Sequence, residues 1–338
     1  MLPTKKLIAE FEPQSFTQII FPHAATDWAE YLAEAQQCFI NIINNIILFQ
    51  PTLVVCHNKE AVMQHFTKHP NLFFVEYTTD DTWARDCSAL SICEDEKTTL
   101  LDFTFNAWGG KFDAAKDNAL SRSISKCYNA PMQHIDFVLE GGAVESNGVD
   151  TILTTTACML NPNRNPNLNN IQITQKLKEY FGAKHILYLN HGYLAGDDTD
   201  SHIDTLARFI SEDTIMYVQC KDEKDEHYQE LKRMEEELQM IAKERNLKLI
   251  ALPFPNALFY DNERLPATYA NFLFVNGAIL VPTYNVQQDQ EALDIFKKTF
   301  PSHTIVPIDC SVLVRQHGSL HCVTMNFPKE VTLQPNCS

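Results

Sequence analysis

Asp86, Glu140, His202 with Asp204, and Cys322 lie far apart in the chain. Each stands in a short stretch of unusual character: Trp83-Ala84-Arg85-Asp86, Glu140-Gly141-Gly142, His202-Ile203-Asp204 and His321-Cys322. One thiol, one imidazole and three carboxylates suit a thiol nucleophile attacking a positively charged carbon, because carboxylates hold a guanidinium by paired, charge-assisted hydrogen bonds. A thiol reacts only when its pKa is lowered or a base stands beside it. His202 is the candidate base, since Asp204 at i+2 shares its face on a strand. Gly318-Ser319 ahead of Cys322 leave room for a substrate. Trp83 offers an aromatic face to a planar cation. His321 would point away from Cys322 by strand alternation and reads as a packing or hydrogen-bonding histidine. Each residue also has a plainer reading: one cysteine of ten is more often structural, Trp83 suits a core, and Glu140-Gly141-Gly142 suits a turn.

Residues so distant meet only if repeated elements carry them to one place. Thr26 or Asp27 can cap a helix reaching about residue 49, with Trp28, Tyr31, Leu32, Ala35, Phe39, Ile42, Ile43 and Ile46 as its apolar stripe. Further helices are expected over 170–181, 225–246 and 289–300, and strands over 7–21 and 52–56. Between them a hairpin pattern recurs: 89–93 with 100–103, 143–145 with 151–155, 206–210 with 215–218, and 272–275 with 279–281. Asn147-Gly148 and Asn276-Gly277 are hairpin turn signals. Asp86, Glu140, His202/Asp204 and Asn271 precede these hairpins, and Cys322 opens a fifth apolar stretch. A recurrence about every 50–70 residues suggests radially arranged units, each aiming its leading residue at a shared axis. The competing architecture is an ordinary α/β sheet with hairpins.

The 338 residues are 45% hydrophobic and 21% charged, with no Pro/Gly/Ser-rich linker, so one domain over 1–338 is expected although the length allows two. The net charge of -16 argues against nucleic acid as a partner and is compatible with a small cation. The ten cysteines form no C-x-x-C pair, which weakens zinc-finger and thioredoxin-like readings and leaves reduced thiols as the expectation. No apolar run follows the first residues and none approaches the roughly 20 residues of a membrane span, so a cytoplasmic chain with no membrane partner is expected. Asp197-Asp198-Thr199-Asp200-Ser201-His202-Ile203-Asp204 resembles a hard-metal loop, and a metal-dependent hydrolase built on 198–204 is a competing reading. The stretch lacks the glycine and terminal glutamate of a calcium loop, and chelator sensitivity would discriminate.

Taken together, the motifs resemble the agmatine deiminase, or porphyromonas-type peptidylarginine deiminase, family of guanidine-modifying enzymes. Those carrying the resemblance are Phe21-Pro22-His23 to Trp28, Asp81-Thr82-Trp83-Ala84-Arg85-Asp86, Glu140-Gly141-Gly142, Asn163-Arg164-Asn165-Pro166, Asp198 to Asp204, Tyr269-Ala270-Asn271-Phe272 and Leu320-His321-Cys322-Val323-Thr324. They follow in the family's order over nearly the whole chain. The resemblance implies a five-unit pseudo-symmetric α/β propeller (pentein-like). It implies Cys322 as nucleophile, His202 as general acid/base, Asp86 and Asp204 as guanidinium ligands, Glu140 orienting His202 or completing the site, and Trp83 and Asn271 as walls. Hydrolysis of agmatine to N-carbamoylputrescine and ammonia, a putrescine-forming step, is the reaction implied, without metal or cofactor; a homodimer is the assembly it allows. Free or peptidyl arginine is the alternative substrate, for which Arg164 is a candidate carboxylate partner; a non-catalytic propeller is a third reading. The chain departs from the pattern at Ser201 (usually Gly), at Thr205 (usually Asn) and in the reduced glycine content of 316–319, which bears on pocket shape more than on reaction type.

Overall fold

Where a polar turn separates two apolar runs, the runs pair as a hairpin, and a helix then carries the chain back to a third, parallel strand. The computed structural model, which describes residues 5–334 and Cys337, builds this unit repeatedly in a mixed α/β fold. Leu90–Glu94 pairs antiparallel with Lys97–Thr104, which pairs parallel with Met132–Val138 beyond helix Ala115–Ser123. Glu145–Ser146, Thr151–Thr155 and His185–Leu189 repeat the order around helix Asn170–Phe181. Ala207–Ser211, Thr214–Gln219 and Lys248–Pro253 do so around Tyr228–Arg245. Leu273–Val275, Ala278–Thr283 and Thr304–Asp309 do so around Gln288–Thr299. The last sheet joins both ends of the chain: Thr324–Pro328 pairs antiparallel with Gln14–Ile20, which runs parallel to Thr52–Cys56 and onward to Leu72–Glu76.

Helix Leu32–Ile46 buries Ala35, Cys38, Phe39, Ile42, Ile43 and Ile46, the i, i+3, i+4 stripe of its sequence. Each large aliphatic or aromatic side chain so buried contributes about 1.5–3 kcal/mol. The helix starts later than expected. Thr26 turns its hydroxyl to the His23 carbonyl (2.7 Å), and a 3-10 turn, Ala29–Tyr31, intervenes. Asn170–Phe181 has the expected bounds: Asn169 and Gln172 form a capping box, and Gly182 closes the helix in the left-handed region.

Two expectations are corrected. His202 and Asp204 do not lie on a strand; Ile203–Thr205 is a 3-10 turn, so a shared strand face is not what joins them. The thiols are not all free: Cys127 and Cys337 form a disulfide. Backbone bonds from Gln334 to Cys127 and from Asn129 to Thr332, each 2.9 Å, dock the chain end beside the Ser125–Cys127 turn and bring the two cysteines together. No helix among the described residues is long and apolar enough to cross a membrane.

Candidate active site

The turns ahead of the hairpins bring the separated residues to one buried centre. Asp86, in the turn Ala84–Cys87, accepts the Gly142 N–H on Oδ1 (2.9 Å) and the Trp108 indole N–H on Oδ2 (3.0 Å). His202 lies between carboxylates, with Nδ1 3.7 Å from Asp86 and Nε2 3.8 Å from Glu140. Gly142 has to be glycine: a Cβ there would lie 2.7 Å from His202 Nδ1, 2.9 Å from Asp86 Oδ1 and 3.0 Å from Asp204 Oδ2. Glu140 accepts Arg164 Nε on both oxygens at 2.9 Å. The rest of that guanidinium is committed to Asp200 (2.7 Å) and the Thr199 carbonyl (2.9 Å). Arg164 is therefore a support for Glu140.

Asn271, expected as a wall, ties the turn that carries Cys322 to its neighbour. Its Oδ1 accepts the His321 N–H (2.8 Å) and the Cys322 N–H (3.3 Å) and lies 3.4 Å from Cys322 Sγ, while its Nδ2 donates to the Asp204 carbonyl (3.3 Å). Trp83 is pinned by its indole N–H to Asp81 (2.8 Å), and a Cβ on Gly318 would overlap the Trp83 ring. Trp83, Asp86 and Cys322 line a cavity of about 490 Å³; His202, Glu140, Asp204 and Asn271 are not among its lining residues. Trp108, which sequence reasoning missed, lines it too and meets Trp83 edge to face at 6.4 Å. Ala107 and Trp108 both hold positive φ (52° and 54°) to place the indole. A tryptophan ahead of Gly109-Gly110 was the available signal.

Burial pushes the Cys322 thiol well above its ordinary value, and the charges of Asp204 and Asp86 add to this. For His202 burial works downward, but Asp86, Cys158 and Glu140 outweigh it and hold the ring well above its ordinary value, as an imidazolium. Burial also raises Asp86; Asp204 and Glu140 add to the rise, while His202 and the Trp108 N–H oppose it. Glu140 is held down at about 2, against its burial, by His202 and Arg164. Asp86 and Asp204 thus set a carboxylate field at Cys322 that an incoming cation would offset.

The donors fit a metal poorly. Glu140, Cys158 and His202 present ligand atoms within 4.8 Å of one another. Arg164 occupies both Glu140 oxygens, and its charge opposes a second cation there. In the 197–204 stretch Asp197 accepts the backbone N–H groups of Thr199 and Ser201, Asp200 binds Arg164 and Lys111, and Asp204 binds His321. Ser201 adopts φ 65°, which accounts for the glycine usual at this position in the resemblance drawn above. Ser201→Gly is expected to stabilise the fold by up to about 1 kcal/mol, the left-handed penalty less glycine's entropy. Denaturant unfolding of the two proteins measures it, and a destabilised variant would contradict the strain.

Residues 6–328 match the model of the Porphyromonas-type peptidyl-arginine deiminase family. The agmatine deiminase of Stutzerimonas stutzeri is 31% identical over 95% of this chain and 94% of its own. A cysteine-to-serine variant of the C. jejuni agmatine deiminase, solved with substrate bound, superposes with a TM-score of 0.92 at 41% identity, covering 96% of each chain. A Porphyromonas gingivalis structure, provisionally described as an arginine deiminase, superposes with a TM-score of 0.93 at 43% identity over 97% of this chain and 99% of its own.

Proposed function

The chain belongs to the Porphyromonas-type peptidyl-arginine deiminase family, and on that premise we propose that it hydrolyses agmatine to N-carbamoylputrescine and ammonia. The observation that carries the choice of substrate is the lining of the cavity that ends at Cys322. Seven aspartates (Asp27, Asp80, Asp81, Asp86, Asp113, Asp117 and Asp198) face it, with no Lys or Arg among the described lining residues. That suits a molecule cationic at both ends and disfavours the α-carboxylate of free arginine. Arg164, the residue that could have bound such a carboxylate, is held by Glu140 and Asp200.

In the mechanism we propose, the guanidinium enters with its charge, since its pKa exceeds about 12. Asp86 and Asp204 take its N–H groups and fix the carbon before Cys322. The cation offsets the carboxylate field that holds the thiol neutral; the thiol proton leaves to solvent and the thiolate adds to the carbon. His202 gives its proton to the departing nitrogen, the C–N bond breaks, and ammonia leaves. An S-alkylthiouronium stays on Cys322. His202, now neutral, takes a proton from water, the oxygen adds to the carbon, the C–S bond breaks, and the hydroxyl proton passes to the departing thiolate as the ureido product forms. Glu140, anchored by Arg164, keeps His202 in its protonated form. These side chains supply every step, with no metal or cofactor.

The proposal extends to architecture. We place the five sheets of three or four strands radially, as one catalytic propeller domain over 1–338. The pairing of Thr324–Pro328 with Gln14–Ile20, and the position of each leading polar residue just before its hairpin, support this.

Agmatine, arginine and a blocked arginine peptide, assayed side by side for ureido product, test the substrate; inactivity with all three removes the proposal. A pH dependence follows as well. Burial, with the charges of Asp27 and Asp117, pushes Asp81 up to about 7; burial and Asp80 raise Asp117 to about 7. Both ionise as pH rises through that value and then attract the cationic substrate, so KM for agmatine should fall between pH 6 and 8. A flat KM over that range would remove these carboxylates from substrate attraction.

A further inference from the structure

His321 was expected to play no part in the chemistry, yet it touches a residue that does. Its Nδ1 lies 2.7 Å from Asp204 Oδ2 and its Nε2 lies 2.5 Å from Glu10 Oε2. A ring with a carboxylate oxygen at each nitrogen donates at both only as an imidazolium. Glu10 is held from its other sides by Arg85 (3.2 Å), Arg208 (3.0 Å) and the Phe274 N–H (3.0 Å). Arg208 is itself fixed by Glu145 and by the Phe272 carbonyl (2.8 Å). Glu10 is partly buried, and His321 and Asp204 are almost fully removed from solvent.

On the deiminase reading above, we propose that His321, anchored by Glu10, is the positioning residue that fixes Asp204 for guanidinium binding. Three observations carry this. Asp204 has its Oδ2 taken by His321, while its Oδ1 is buried without a hydrogen-bond partner. A buried carboxylate oxygen left bare is costly, and a guanidinium N–H is the donor it lacks. Burial would drive the Asp204 carboxyl up, and the hydrogen bond and charge of His321 instead hold it low and ionised. Finally, His321 and Glu10 line a separate small cavity of about 60 Å³ that does not include Cys322. Both ring nitrogens of His321 are taken, by Asp204 and by Glu10, so it acts through Asp204 and does not touch substrate.

Two variants separate positioning from mere packing. In His321→Asn the amide takes the place of Nδ1 and keeps the Asp204 bond while losing Glu10. In His321→Gln it takes the place of Nε2 and keeps Glu10 while losing Asp204. For His321→Gln, kcat/KM on agmatine should fall about 100-fold, mostly through KM, as expected for one lost charge-assisted hydrogen bond. Its acidic limb should move to higher pH, because Asp204 no longer stays ionised there. His321→Asn should stay within about tenfold of wild type, with the limb little moved. Thermal unfolding of both checks the fold. Equal losses in the two variants with an unmoved acidic limb, or an unchanged KM in His321→Gln, would overturn the role. Wild-type turnover distinguishes the two failures: its absence refutes the deiminase reading and the role that rests on it, whereas its presence beside an unaffected His321→Gln refutes the role alone.

Discussion

Replacing Cys322 by alanine is expected to lower kcat on agmatine about 10⁵-fold, the scale seen when a covalent nucleophile is removed. Activity within tenfold of wild type would end the nucleophile assignment. The other thiols at the centre are poor substitutes. Cys158 is fully buried and Cys87 is about as buried as Cys322, burial raises both, and, unlike Cys322, neither lines the cavity. The loss should fall on kcat, because Asp86 and Asp204 remain to bind the guanidinium, and calorimetry on the alanine variant should detect agmatine binding. The same physics sets the reactivity of the wild-type thiol. Burial, Asp204 and Asp86 all oppose its ionisation, so neutral iodoacetamide should alkylate Cys322 with a midpoint well above pH 9. A small cationic haloamidine brings the missing positive charge, and its midpoint should lie lower. Equal midpoints for the two reagents would show that substrate charge does not govern the thiol.

The sequence was most informative where the determinants are local. Asn147-Gly148 and Asn276-Gly277 mark hairpin turns because a positive φ is needed there and only a few residues accept it. The helix Asn170–Phe181 is bounded by its own cap residues. Asp86, Glu140 and Cys322 were legible because each stands at the head of a repeated unit. What escaped depends on partners far along the chain. His321 meets Asp204 across 117 residues and Glu10 across 311, and nothing beside it in sequence announces either carboxylate. Arg164 could be named but not placed, since only the fold decides whether it faces substrate or Glu140. The 3-10 turn at Ile203–Thr205 follows left-handed backbone at Asp200 and Ser201, held by Asp197, and strand periodicity has no term for that. Cys127 and Cys337 are 210 residues apart, and cysteine spacing alone does not specify such a pairing.

Asp86→Asn removes one charge and no volume, and it should nonetheless lower kcat/KM on agmatine about 10³-fold, the range for taking one partner from a buried charge pair. Three effects combine. Both Asp86 oxygens accept N–H donors, from Gly142 and Trp108, so the asparagine amide must set its own NH₂ against one of them. The substrate guanidinium loses a counter-charge, which raises KM. His202 loses the first of the groups that hold it above its ordinary value, so its pKa falls and the general acid is deprotonated at a lower pH. The sign is definite: the alkaline limb of kcat must move down in pH, since activity requires the protonated ring. Trp108→Phe serves as the partial control. It deletes one donor to Asp86 but leaves the charge, so it should cost about tenfold with little movement of the alkaline limb. If Asp86→Asn kept the wild-type KM and titrated like the wild type, Asp86 would be a packing residue, and Asp204 with its His321 support would have to hold the guanidinium alone.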